Sequence, residues 1–331
     1  MLAPQKTPRR FRGKIFFLAY LVVITVVLLE VACRFGAVKT DFYRVSSEIR
    51  RAGASQRVLV IGDSFSLDLE GMAMGLLADT LESAGIGVLN VSGAGSGPVH
   101  HLRKLGEFGE RYRPDVVLLN LYVGNDFTDT RRDLKKKRST WRRQLRSVLV
   151  RHSYLMNAYV ETKSRIVLQR EQSEIRKTIE DEVGIDVLNP FLYDLAKVKP
   201  SYVTDNLAPT DSLWEINRAL LSGIAARAEE IDAKLIVCIF PHTAQINRDH
   251  DEFLRKVGFE VDQEFLETQR CQELLIGFCR EEGIDYFDLL PRFREHRDQS
   301  YYLADDIHWN DAGNRLAFRL VRDYLAELEV F

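Results

Sequence analysis

Cysteine is scarce in this 331-residue chain, and the four present, Cys33, Cys238, Cys271 and Cys279, make no Cys-x-x-Cys and stand at no metal-ligand spacing from histidine. That pattern excludes a zinc site and a dense disulfide framework. Cys271 and Cys279 fall in one helix-like stretch, where eight residues of rise separate them by roughly 12 Å, too far for a bridge. All four are expected as core or membrane thiols. P-loop, dinucleotide fingerprint and metal-ligand cluster are missing too, so the sequence offers no cofactor. An excess of one charge is lacking as well. Lys and Arg total 46 against 48 Asp and Glu, a formal net charge of -2, which gives no global reason to expect nucleic acid. Internal repeats and low-complexity tracts are absent. What remains is a globular composition, 46% hydrophobic and 28% charged, in a chain long enough to bury a full core.

The one long apolar run is N-terminal. Ile15 to Leu29 carries no charge and only Glu30 intervenes before Cys33, which approaches the ~20 residues that cross a bilayer and exceeds the roughly 7–15 of a signal-peptide apolar region. Lys6, Arg9, Arg10, Arg12 and Lys14 precede it without an acidic residue, whereas Asp41 and Glu48 are mixed with the basic residues that follow. The expected layout is a basic cytoplasmic tail (1–13), a transmembrane anchor (14–33) with the rest extracytoplasmic, a linker (34–56) and a folded domain (57–331). A cleaved signal peptide, helped by Val31-Ala32-Cys33, and a buried soluble helix are the competing interpretations. Glu30 argues against a lipoprotein site at Cys33.

Beyond the linker, strands and helices alternate. "RVLVIG", "GVLNVS", "PDVVLLNLYV", "AKLIVCIFP" and "IDYFDLL" have the apolar character of strands. Helices are expected at Ser66–Ala84, from Pro98 to about Arg111, and at Asp211–Ile231, Asp262–Glu282 and Asp311–Leu328. Strands separated by helices predict an α/β fold, a parallel sheet covered on both faces with ligands at the carboxyl ends of its strands. From 127 to 206 the alternation lapses into a basic, helical insertion. Arg131–Arg151 holds ten Lys or Arg against one Asp. Such a run is either a solvated face or a contact to an anionic surface, where each basic charge gains about 1 kcal/mol.

Polar clusters stand where strands end: Gly62-Asp63-Ser64, Asn90 to Gly95 and Gly124-Asn125-Asp126, with Asp305, Asp306 and His308 before the last helix. Serine needs a base within hydrogen-bond reach and a third group to orient that base. His308 can be the base and Asp305, three residues earlier, can turn back to its other nitrogen. The Ser64 N–H, a backbone N–H from the Gly93–Gly95 turn and the Asn125 amide can supply oxyanion donors, each worth roughly 2.7–4 kcal/mol. Taken singly, each cluster also fits a turn or a helix cap. Their joint occurrence, each at a strand end, is what points to chemistry. His100, His101 and His242 are expected on the rim with local hydrogen bonds or lining a pocket, and Trp309 packing the last helix or binding a sugar. Asp63 is expected to fix the turn that presents the hydroxyl.

"GDSFS", the "NVSGAG" glycine, "VGND" and "DDIH" together resemble the four blocks of the SGNH (GDSL-type) hydrolase superfamily, from about Arg57 to Leu328. The resemblance implies a three-layer flavodoxin-like fold, no metal, and ester hydrolysis through an acyl-serine. It implies Ser64 as nucleophile and oxyanion donor, Gly95 and Asn125 as further donors, Asp305 as acid and His308 as base. Gly93 competes with Gly95, which is preferred because Asn90-x-Ser92-x-x-Gly95 resembles the family's Asn-x-Gly-x-x-Gly turn. Asp306 competes with Asp305, because "DIHW" resembles the Asp-x-His-Trp of SGNH-like polysaccharide O-acetyltransferases. Ordinary hydrolase spacing favours Asp305. The expected protein is a membrane-anchored extracytoplasmic esterase acting on a small-molecule or glycan ester. The alternatives are an O-acyltransferase for a surface polysaccharide and a non-catalytic tethered module that binds through Arg131–Arg151.

Overall fold

The computed structural model describes residues 9–38, 40, 56–134, 149, 152–183, 189–247, 249–261, 267–295 and 299–331. The apolar runs become five strands, β1 (Arg57–Ile61), β2 (Gly87–Asn90), β3 (Val116–Tyr122), β4 (Lys234–Phe240) and β5 (Asp285–Asp288). All neighbours pair in parallel, in the order β2-β1-β3-β4-β5. This is the flavodoxin-like doubly wound order, in which the crevice for a ligand opens at the carboxyl ends where the order reverses, here between β1 and β3.

β3 is buried at every position, which is why it reads as an apolar run instead of an alternation. On one face Val58, Val60, Leu118, Ile236 and Phe240 pack against Met74, Leu77 and Leu81 of the helix Ala73–Ser83 and Ala317, Val321 and Leu325 of the helix Asp311–Glu327. Helices Pro98–Tyr112 and Asp211–Glu230 pack on each other and on β1 and β4. The four cysteines are buried and unpaired.

Two helices differ from expectation. The segment after β1 opens as a short 3-10 turn, Ser64–Ser66, turns extended at Leu67, and reaches the α-helix only at Ala73, after Gly71 at φ +80° and an extended Met72. The helix expected from Asp262 runs over Arg270–Glu281, with 262–266 outside the described residues.

By internal contacts the chain divides into one unit of residues 1–47 and 138–170 and another of 48–137 and 171–331, which holds the sheet. In the first, the helix Arg9–Arg34 contains a stretch, Phe16–Arg34, long and apolar enough to cross a membrane by length and composition. Its one acidic residue has a specific use. Glu30 accepts hydrogen bonds from Ser153 Oγ (2.8 Å), Tyr154 N (3.0 Å) and Leu155 N (2.9 Å), so it caps the start of the helix Tyr154–Val183. Arg34 lies 5.3 Å from the Tyr154 ring. Of the basic run Arg131–Arg151, most lies outside the described residues, and so does most of the expected linker.

Candidate active site

The turn that follows β1 is fixed from three strands. Asp63 caps the 3-10 turn, its Oδ1 accepting from Phe65 N at 3.0 Å, as expected of a residue that shapes the turn. Asn90, the last residue of β2, donates to the Ser66 carbonyl at 2.7 Å, and Asn120 in β3 donates to Ser66 Oγ at 3.0 Å. Gly62 is required by close approach, because a Cβ there would collide with the Ser66 side chain. Phe65, fully buried, inserts between Tyr122 and His308, with ring centroids at 4.1 and 4.9 Å, and meets Trp309 edge-on. Asn90, Asn120 and Ser66 thus lock Ser64 in place. Asn120 was legible only as a lone polar residue in an apolar strand.

The second half of the site is a closed loop before the last helix. Tyr302 and Trp309 form an antiparallel bridge, Leu303 N donates to the His308 carbonyl at 3.0 Å, and Asn310 caps the helix Asp311–Glu327. The loop delivers His308 Nε2 to 2.8 Å from Ser64 Oγ. His308 Nδ1 lies 3.0 Å from Asp306 Oδ1. The acid expected from spacing, Asp305, is therefore displaced by its neighbour. Asp305 sits in the turn at the loop tip and is half-exposed, whereas Asp306 is buried and projects to the same side as His308, two residues on.

Three donors converge on Asp306 Oδ1: Ile307 N at 2.7 Å, His308 Nδ1, and Asn189 Nδ2 at 3.2 Å. Burial works to raise the Asp306 pKa, but the imidazole hydrogen bond and charge, with the Asn189 amide and the Ile307 N–H, outweigh it and hold the carboxyl below its ordinary range. For His308 burial works against protonation, yet the hydrogen bond and charge of Asp306, with the charge of Asp63, keep its pKa above the ordinary imidazole value.

Of the expected oxyanion donors, Asn125 lies beside the turn, its Nδ2 donating to Asp63 Oδ2 at 3.2 Å, which leaves the second amide hydrogen for another acceptor. Gly93 N–H is engaged by the Gly62 carbonyl at 3.1 Å, which removes it from the role. Gly95 takes φ +63°, a left-handed conformation that favours glycine, at the carboxyl end of β2. Burial pushes the Asp63 pKa up to about 6, against the Phe65 N–H and the His308 charge. Asp126 accepts from Tyr122 N at 3.0 Å and is held far above the carboxylate range by burial and then by Asp63 and Asp129.

His101 and His242 are not rim residues. Both are fully buried, and burial lowers both pKa values to about 3, so they are neutral. His242 Nδ1 accepts from Ala244 N at 3.1 Å. Trp309 is 4% exposed and packs on Phe65, Phe240 and Phe293, so it is part of the core. Among the described residues no group of three His, Cys, Asp or Glu could hold a metal ion.

Chemically, a hydroxyl bonded to an imidazole that is held by a buried carboxylate can deliver an alkoxide-like nucleophile to an electrophilic carbon. A family model described as SGNH hydrolase-like domain, acetyltransferase AlgX, matches residues 202–330, which include Asp306 and His308. No curated protein matches the chain. Similar solved structures include TesA, at 15% identity and TM-score 0.43 over 82% of this chain and 99% of that one. Another is the psychrotrophic esterase EstA from Pseudoalteromonas sp., at 12% and 0.43 over 83% and 98%. A third is the acetyl xylan esterase AlAXEase, at 15% and 0.41 over 82% and 98%. The matched segment carries the histidine loop, and Ser64 meets that loop at the carboxyl edge of a parallel 2-1-3-4-5 sheet.

Proposed function

We propose that the protein is a membrane-anchored enzyme that transfers acyl groups through an acyl-serine at Ser64, with water as acceptor in its simplest reaction. The observation that carries this is the continuous hydrogen-bond line Ser64 Oγ, His308, Asp306. Ser64 Oγ attacks the ester carbonyl while its proton passes to His308 Nε2, and Asp306 stabilises the imidazolium. The tetrahedral oxyanion accepts hydrogen bonds from Ser64 N, Gly95 N and the Asn125 amide. Its collapse expels the alcohol, which takes the proton from His308. Water, deprotonated by His308, then attacks the acyl-serine, and the acid leaves as Ser64 regains its proton. A fluorophosphonate probe is expected to label wild-type protein on Ser64; labelling that persists in Ser64→Ala sinks this assignment.

A second reading differs only in the acceptor. Here a sugar hydroxyl takes the place of water, making the enzyme an O-acyltransferase for a surface polysaccharide. It is favoured by the position of Asp306, which makes the triad segment Asp306-x-His308-Trp309, and by the acetyltransferase description of the matching family model. Partition of a radiolabelled acetyl group between acetate and an added oligosaccharide separates the two. Acceptor that never captures label eliminates the second. In both, the helix Arg9–Arg34 anchors the protein with its basic end in the cytoplasm and the sheet unit outside.

A further inference from the structure

We propose that Asn189 is a positioning residue for Asp306; this rests on the acyl-serine reading above. Asn189 stands at the N-cap of the helix Pro190–Val198, where an asparagine side chain ordinarily accepts from first-turn N–H groups. It makes no cap hydrogen bond there. Its Nδ2 donates instead to Asp306 Oδ1 across 117 residues of sequence, at 3.2 Å. Among the described residues it is the one hydrogen-bond partner of Asp306 from outside the loop that carries His308. The helix start gives up a local cap and the site gains a third donor on the triad acid. The segment that interrupts the α/β alternation therefore reaches into the catalytic machinery and does more than border it.

The chemistry of that contact has a direction. An amide N–H stabilises the carboxylate and shares the oxygen that faces His308 Nδ1, so it fixes the carboxyl and moderates its basicity. Without it Asp306 becomes more basic and less fixed. The imidazolium is then better stabilised, and the neutral imidazole that must accept the Ser64 proton appears only at higher pH. Asn189→Asp goes further in the same direction, because it substitutes a second anion for the donor.

The test uses the full chain in detergent micelles and measures how fast a small fluorophosphonate labels Ser64 as a function of pH. Asn189→Ala and Asn189→Ser are expected to be labelled about tenfold more slowly near neutral pH. In Asn189→Asp the acid limb is expected to move up by about one unit. Serine is a good N-cap but cannot reach Asp306, so Asn189→Ser should keep the wild-type thermal midpoint while losing labelling rate, a split that a purely structural role does not produce. Titration of His308 by histidine-selective nitrogen NMR measures the same shift without any reaction. Wild-type labelling rates in Asn189→Ser together with an unshifted His308 in Asn189→Asp overturn the proposal. Wild-type protein that is never labelled on Ser64, with His308 still shifted in Asn189→Asp, overturns the acyl-serine reading and leaves the hold of Asn189 on Asp306 intact.

Discussion

Asp63, in the turn after β1, and Asp306, in the loop before the last helix, are both buried and both act electrostatically on His308, yet burial wins at one and loses at the other. Asp306 has a hydrogen-bonded imidazole, an amide and a backbone N–H on a single oxygen, and stays ionised. Asp63 has one backbone N–H and one amide and no direct contact to a cation, and its pKa rises to about 6. The difference teaches that burial alone does not assign a carboxylate its role; the donors facing it do. A carboxylate bonded to the imidazole can stabilise developing positive charge. One bonded to a turn and to Asn125 can only hold donors in place.

The largest effect expected from this contrast is at the acid. Asp306→Asn should lower kcat by about 10⁴, since an amide at Nδ1 permits the wrong imidazole tautomer. Asp305→Asn, one residue away and half-exposed, should stay within about twofold of wild type. Steady-state hydrolysis of a p-nitrophenyl ester by both variants measures the ratio. Equal losses in the two would dissolve the distinction between the loop tip and its buried shoulder. Next in size is Asn125→Ala, which under the proposed oxyanion role is expected to cost about 10² to 10³ in kcat with KM little changed. A loss confined to KM would place Asn125 in ground-state binding instead.

The choice between Asp305 and Asp306 also shows where the sequence stopped being legible. The sheet was readable because its strands are apolar runs bounded by turns, and the residues of the serine turn, the glycine turn, the Asn125 turn and the His308 loop stand at their carboxyl ends. Which of two adjacent aspartates meets Nδ1 depends on how the loop from Leu303 to His308 folds back on itself, and spacing does not encode that. Asn189 was invisible for a stronger reason. Its partner is 117 residues away, and an asparagine before a proline reads as a helix start. The helix expected from Ser66 failed over Leu67 to Met72, where the backbone is extended at both ends and left-handed at Gly71, which the apolar periodicity around it does not register.

A smaller loss of rate than at Asp306 or Asn125, and the one that isolates Asp63, comes from Asp63→Asn. The substituted amide can still accept from Phe65 N, but its nitrogen then faces Asn125 Nδ2, donor against donor, where the carboxylate now accepts at 3.2 Å. Asn125 should turn away, and kcat should fall by about tenfold with KM within about twofold. Stability gives an independent sign. With a folded pKa of about 6 against 3.8 unfolded, Asp63 binds more protons folded than unfolded between those values, so stability falls as pH rises through that window and levels off above it. The fall amounts to on the order of 3 kcal/mol. Asp288, also pushed to about 6 by burial, adds a fall of its own in the same window, and the substitution leaves that part untouched. Chemical unfolding of wild type and Asp63→Asn at pH 4 and pH 7 should therefore show the wild-type advantage shrinking with pH. An advantage that stays constant would mean that Asp63 is ionised throughout, and that its donors, like those of Asp306, defeat its burial.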